Sequence, residues 1–213
     1  MHAPETTSRF RAAAMVAALL FCWAIPSAAA MSFSTRTLPD GTRIVLAEGP
    51  VAEGDAHRLR AALQSADRDA SGHKVLALDS LGGPIVEAFA MVDVMDEQRV
   101  ATLVRPGASC ASACAQILFL SGAHRTVEGS GRIGLHSCHT SGDRSRSMAC
   151  NELIAQNASA RGTPYGTLMA FLHLTAAAQM HWLSAAEADC WGFTRSPPSV
   201  GHAGRAVAAR ACF

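Results

Sequence analysis

Through the middle of the chain, short apolar runs alternate with stretches whose apolar positions recur every three or four residues. "TRIVLAEGPV" (42–51) follows the Asp40-Gly41 turn and reads as a strand. "AHRLRAALQSA" sets Leu59, Ala62 and Leu63 on one helical face. "KVLALDS" is a continuous apolar run, the pattern of a parallel strand buried on both faces. Pro84 in a first turn predicts a helix from there to about Met95. "VATLVR" predicts the next strand, residues 111–120 the next helix, and "GRIGLHS" a further strand. Helices are expected over 148–156 and 167–179. "LSAAEAD" opens another, with Ser184 as cap and Glu187 three residues later, a capping box. Repeated strand–helix units predict an α/β fold with a mainly parallel sheet flanked by helices.

The first 30 residues follow another pattern. Arg9 and Arg11 precede an apolar run over 12–25 and then "PSAAAM". A short basic region, an apolar segment too short to span a bilayer and an Ala-x-Ala-like end predict a secretory signal peptide cleaved near Ala30. Adjacent arginines are absent, which favours general secretion over the twin-arginine route. Cys22 follows the bulky Phe21, which argues against a lipid anchor. No later segment reaches membrane-spanning length. The mature chain is therefore expected in the periplasm or secreted, with no stable membrane insertion once the signal is removed. The folded domain is expected over 31–195, with a Pro/Gly/Ala-containing tail over 196–213.

Cleavage there leaves 183 residues, enough for one domain with a sizeable core. Without Arg9, Arg11 and Glu5, the 18 basic and 17 acidic residues become 16 and 16. A formal charge of zero steers the protein neither to nucleic acid nor to an anionic membrane. The six mature cysteines are Cys110, Cys114, Cys138, Cys150, Cys190 and Cys212. An even number in an exported chain reads as disulfides, although six allow 15 pairings. Short loops close most easily, so the expected pairs are Cys110–Cys114, Cys138–Cys150 and Cys190–Cys212. The first would clamp the turn that carries Ser112. His139 with Cys138 and Cys150 raises a metal-binding alternative, but the spacing matches no recognised zinc site and exported cysteines prefer disulfides. No metal and no cofactor is expected.

Reactive groups in an open parallel sheet gather at the carboxyl ends of the strands. Three segments arrive there: "DSLGG", "SCASAC" and "GLHSCH". The first supplies Gly82 and Gly83, whose missing side chains let backbone N–H groups approach a ligand. The second supplies the Ser112 hydroxyl at a helix start, where the partial positive charge favours a developing oxyanion. The third supplies His136, a candidate base. Serine, histidine and converging amides are the parts of acyl-transfer catalysis.

"LDSLGGPIVEAFAMVDVM" resembles the "NSPGG" strand–turn–helix of the Clp protease proteolytic subunit, within the crotonase-like superfamily. Ser112 lies 29 residues after Gly83, and His136 lies 24 after Ser112, both close to that family's intervals. "WLSAAEADCWGF" is similar to its later helix. The resemblance covers roughly residues 44–193, and "SCASAC" with the export signal is closer to exported, cysteine-containing ClpP-like relatives. It implies a fold of repeated ββα units, with Ser112 as nucleophile and His136 as general base. It also implies an oxyanion hole made by the amides of Gly83 and Ala113, with Gly82 against the substrate. The family's ring assembly implies a homo-oligomer.

One member of that family's triad is missing. Its aspartate should precede "WLSAAEA" by a few residues, and counting back gives "HLTAAAQMH", with Ala176 near the expected place. An orienting acid fixes the tautomer of the base and stabilises its charged form, and its loss can cost about 10⁴ in rate. Asp143, Glu152 and Glu187 are the candidate substitutes. Lys74, the sole lysine, starts its strand at the opposite end of the sheet, which argues against a Ser–Lys dyad. Two functions follow: an exported serine peptidase working through an acyl-enzyme, and a ClpP-like domain without turnover that binds peptides or protein partners. An acyl-CoA enzyme fits poorly outside the cytoplasm. If His136 works without a carboxylate, hydrolysis should be slow and rise with pH through roughly 6 to 7, the range of an unperturbed histidine.

Overall fold

The computed structural model describes residues 30–139, 145–197 and 212. The expected signal peptide short of Ala30, the candidate acid Asp143, and the tail beyond Pro197 apart from Cys212 lie outside the described residues.

Apolar runs become the centre of a five-stranded sheet. Its order is β1 (Ser32–Thr37), β2 (Arg43–Glu48), β3 (Lys74–Asp79), β4 (Val100–Val104), β6 (Arg125–Val127). β1 pairs antiparallel to β2; every other pairing in this sheet is parallel. Leu76, Ala77 and Leu78 are all buried, as strands covered on both faces require. A second sheet runs β5 (Ser109–Ala111), β7 (Arg132–Leu135), β8 (His181–Ser184), with β5 parallel and β8 antiparallel to β7. A single parallel bridge from Ser80 to Cys110 joins the two sheets just past the end of β3. The architecture is mixed α/β, mostly parallel and flanked by helices.

Helix α1 (Asp55–Leu63) buries Leu59 and Leu63 completely, each contributing on the order of 2 kcal/mol. It packs on α2 (Ile85–Gln98), which starts after Pro84 as expected and runs three residues past Met95. α2 in turn packs on a π-helix, Cys114–Phe119, all of whose residues are buried. Helices α3 (Met148–Ala160) and α4 (Tyr165–Leu174) pack together, and the short α5 (Ala185–Cys190) follows β8.

The expected helix over 111–120 is replaced at its start: Ser109–Ala111 pairs as β5, and the chain turns at Ser112 before becoming helical. The expected helix over 167–179 ends at Leu174, because the capping residue Thr175 turns extended. The capping box is present: Ser184 Oγ accepts from the Glu187 amide, and Glu187 accepts from the Ser184 amide at 2.8 Å. Cysteines pair as the near-neighbour argument expects, with Cα separations of 5.3, 5.9 and 5.7 Å for Cys110–Cys114, Cys138–Cys150 and Cys190–Cys212. Among the described residues no helix is long and apolar enough to cross a membrane.

Among the described residues Arg125 is the largest fully buried side chain, 1% exposed. Its guanidinium donates to the carbonyls of Leu120 (3.2 Å), Arg161 (2.9 Å) and Phe193 (2.9 Å). Leu120 and Arg161 cap the C-termini of the π-helix and α3, and Phe193 closes α5 through its amide on Ala188. The C-cap carbonyls of the π-helix and α3, with one carbonyl from the turn after α5, thus surround one cation. Burial still pulls the guanidinium down to about 10.

Candidate active site

Ser112 sits between β5 and the π-helix with φ 55, in the left-handed region that a serine rarely occupies. Such a backbone costs about 1–2 kcal/mol and has to be imposed by its surroundings. Three constraints impose it. The Ser112 amide donates to the Gly134 carbonyl (3.0 Å), its carbonyl accepts from the Gln116 amide (2.8 Å), and the Cys110–Cys114 disulfide ties the residues on either side. The disulfide spans β5 to the first residue of the π-helix, so the hydroxyl is held at a sharp corner with its direction fixed.

The Gly82-Gly83 turn lies against that corner. Gly82 donates to Ser80 Oγ (3.1 Å) and accepts from the Val51 amide (2.9 Å). A Cβ on Gly83 would stand 2.2 Å from the Val51 carbonyl oxygen, so only glycine fits. Among the described residues the amides of Gly83 and Ala113 have no hydrogen-bond acceptor. Both residues line the cleft that holds Ser112.

His136 follows directly after β7, whose pairing with β5 brings it to the Ser112 corner. Its Nε2 lies 2.7 Å from Ser112 Oγ, and its Nδ1 lies 2.9 Å from the Ser137 carbonyl oxygen. A carbonyl only accepts, so Nδ1 carries the hydrogen. Nε2 of the neutral ring is then the lone pair, and the serine hydroxyl donates to it. His136 is 8% exposed. Burial holds it below the ordinary 6.5; the hydrogen bond to the Ser137 carbonyl opposes this shift and His139, its ring centroid 6.2 Å away, adds to it. The ring is therefore neutral at pH 7, in the tautomer able to take a proton from Ser112.

The cleft encloses about 680 Å³, lined largely by apolar side chains that include Ile117, Ile154 and Met180. Leu81 and Val86 stand on it and are 69% and 84% exposed. His139 and Cys138 complete the wall on the His136 side.

Neither described candidate acid approaches His136. Glu152 accepts from Tyr165 Oη (2.5 Å) and Gln156 Nε2 (2.7 Å) on the outer face of α3. Glu187 is engaged in its capping box. The segment expected to supply the aspartate does reach the site: the Thr175 carbonyl accepts from the Ser137 amide (2.9 Å), but Ala176 beside it carries no carboxylate. Lys74 donates to the Leu63 carbonyl (2.7 Å) and Gln98 Oε1 (3.1 Å) at the other end of β3. Cys138 and Cys150 are bonded to each other and offer no thiolate to a metal. Among the described residues no three His, Cys, Asp or Glu side chains converge as a metal site.

Two buried amides escape a reading for acids and bases. Gln116 Nε2 donates to the His136 carbonyl (2.7 Å), and Asn151 Oδ1 accepts from the Cys138 amide (2.7 Å). Each leaves a trace in the pattern. Gln116 interrupts the apolar "CAQILFL", and Asn151 shares a helical face with the buried Ile154, Ala155 and Ala158. No protein-family model matches this chain, and no curated protein matches it either.

Proposed function

We propose that the chain is an exported ClpP-like serine peptidase, cleaving peptide bonds through an acyl-enzyme on Ser112. The observation that carries this reading is the 2.7 Å contact between Ser112 Oγ and the unprotonated Nε2 of His136, at a strained corner inside an apolar cleft. In the first step Ser112 Oγ bonds to the scissile carbonyl carbon while its proton passes to Nε2. The carbonyl π-electrons move to oxygen, and the Gly83 and Ala113 amides receive that oxyanion. Collapse of the intermediate breaks the C–N bond, and the Nε2 proton goes to the leaving amine. Water then repeats the sequence on the acyl ester, giving its proton to Nε2, and the acid product leaves as Ser112 recovers its hydrogen.

Here the Ser137 carbonyl takes the role of the orienting acid. It fixes the tautomer, which is the larger part of what such an acid does, but it carries no full charge to stabilise the imidazolium. Turnover slower than that of a complete triad follows. The ββα arrangement of the crotonase-like superfamily, a peptide or protein substrate, and assembly of several copies belong to the same reading.

Labelling of the purified mature protein with a fluorophosphonate probe tests it. An adduct on Ser112, absent in Ser112→Ala and much slower in His136→Ala, is the expected result. A folded parent that does not label at Ser112 overturns it. The second reading, a peptide- or protein-binding module without turnover, is favoured by the absence of a carboxylate from the Thr175–Ala176 segment, and that inert outcome would select it.

A further inference from the structure

The peptide group that orients His136 is itself held, and by a residue outside the dyad. The carbonyl of Ser137 and the amide of Cys138 belong to one peptide unit. The carbonyl accepts from His136 Nδ1 at 2.9 Å, and the amide donates to Asn151 Oδ1 at 2.7 Å. Hydrogen bonds in such a chain polarise one another: an acceptor on the N–H makes the C=O of the same amide a stronger acceptor. Asn151 is completely buried; the Cys138 N–H can only donate, which fixes Oδ1 towards it and leaves Nδ2 to donate to Ser137 Oγ (3.1 Å). Its sequence neighbour Cys150 bonds covalently to Cys138. One turn of α3 therefore grips the peptide unit through two adjacent residues.

The unit before it is pinned in the same way. The His136 carbonyl accepts from Gln116 Nε2 (2.7 Å), and the Ser137 amide donates to the Thr175 carbonyl (2.9 Å). Ser137 thus sits between two fixed peptide planes, and neither can rotate without stranding a buried polar group, a cost of about 1–3 kcal/mol.

We propose that Asn151 is the positioning residue of this site, acting on His136 through the Ser137–Cys138 peptide group where a triad would place a carboxylate directly. The inference rests on the Ser112–His136 reading for its catalytic consequence, but not for its structural content. Oδ1 cannot lose a proton, so the relay supplies direction and polarisation without charge. His139 is the titratable side chain that acts electrostatically on His136 among the described residues, and no variant below touches it.

The test uses the whole mature protein, with histidine-resolved NMR beside the rate of fluorophosphonate labelling. In the parent, the His136 Nδ1–H should be protected and the neutral ring should be protonated on Nδ1. Asn151→Leu should weaken that proton's protection, shift the tautomer balance towards Nε2–H and slow labelling on the order of 10- to 100-fold. Asn151→Asp keeps the acceptor and adds charge behind the peptide, so His136 should titrate at higher pH than in the parent while labelling above that pH stays within a few-fold. A folded Asn151→Leu protein with the parent's tautomer, protection and labelling rate overturns the proposal. Where Asn151→Leu does not fold, an unmoved His136 titration in Asn151→Asp overturns it. If the parent never labels at Ser112, the peptidase reading fails, and the NMR measurements still decide the role of Asn151.

Discussion

Gly82 and Ala113 approach so closely that a Cβ on the glycine would stand 2.8 Å from the Ala113 nitrogen and 2.9 Å from Ser112 Cβ. Gly82 also has φ 88. Alanine there meets a steric and a conformational penalty together, the latter alone about 1–3 kcal/mol. Gly82→Ala should lower thermal stability and push the Ser112 corner away from His136. Labelling at Ser112 should fall about 100-fold. A variant that labels like the parent would separate the glycine turn from the reactive corner.

Cys110 and Cys114 close a loop of only a few residues around Ser112. Loss of so short a loop closure is worth about 2 kcal/mol in the unfolded ensemble. The Cys110→Ala/Cys114→Ala double variant should therefore melt earlier. It should also label more slowly, because φ 55 at Ser112 loses its covalent restraint. Unchanged labelling in a less stable protein would mean that the two backbone hydrogen bonds suffice to hold the corner.

In the proposed mechanism His136 acts as the neutral ring, and burial holds that ring's titration below 6.5. Labelling should rise with pH along a limb centred below 6.5 and be flat through neutrality, lower than an ordinary histidine would place it. Stability carries the same sign. Between the folded value and 6.5 the unfolded chain binds a proton that the folded chain does not, so stability rises with pH across that window and levels off above it. His124, also lowered chiefly by burial, acts in the same sense. A rate limb centred above 6.5, or stability that falls on going from mildly acidic to neutral pH, contradicts the assignment.

Glu152→Ala and Glu187→Ala should both label at the parent's rate, since one carboxylate serves Tyr165 and the other a helix cap. Only His136→Ala among these three should lose reactivity. A large effect of Glu152→Ala on labelling would require α3 to sit differently.

Much of the fold is legible where burial leaves a one-letter trace. "KVLALD" and "VATLV" are apolar because helices and strands cover them on both sides, and Ser184 with Glu187 spells out its own cap. The edges are not legible. β1 is "SFSTRT", almost wholly exposed and polar, and it is a strand only because β2 offers it an unpaired side. β5 and β6 are three residues each, too short for any period to show. The juxtaposition of Ser112, His136 and the glycines follows from three segments at the same sheet end. The φ of Ser112 does not, because serine has no preference for that region and the constraint comes from Gly134, Gln116 and the disulfide. Asn151 is invisible to a search for charge. Its contribution is the geometry of a peptide plane, which belongs to the chain's path and not to any side chain's acidity.

Outside the cleft, Arg125 makes three helices interdependent. If α3 frays at Arg161, the guanidinium loses an acceptor, and its hold on the π-helix and on the turn after α5 loosens with it. Asp96 pairs with the Arg161 side chain, and the Arg195 guanidinium shares the Arg161 carbonyl, so two further charges meet at this joint. The two helix ends and the turn after α5 consequently open as one event, a single thermodynamic joint, and the slowest-exchanging amides of the protein should cluster around it.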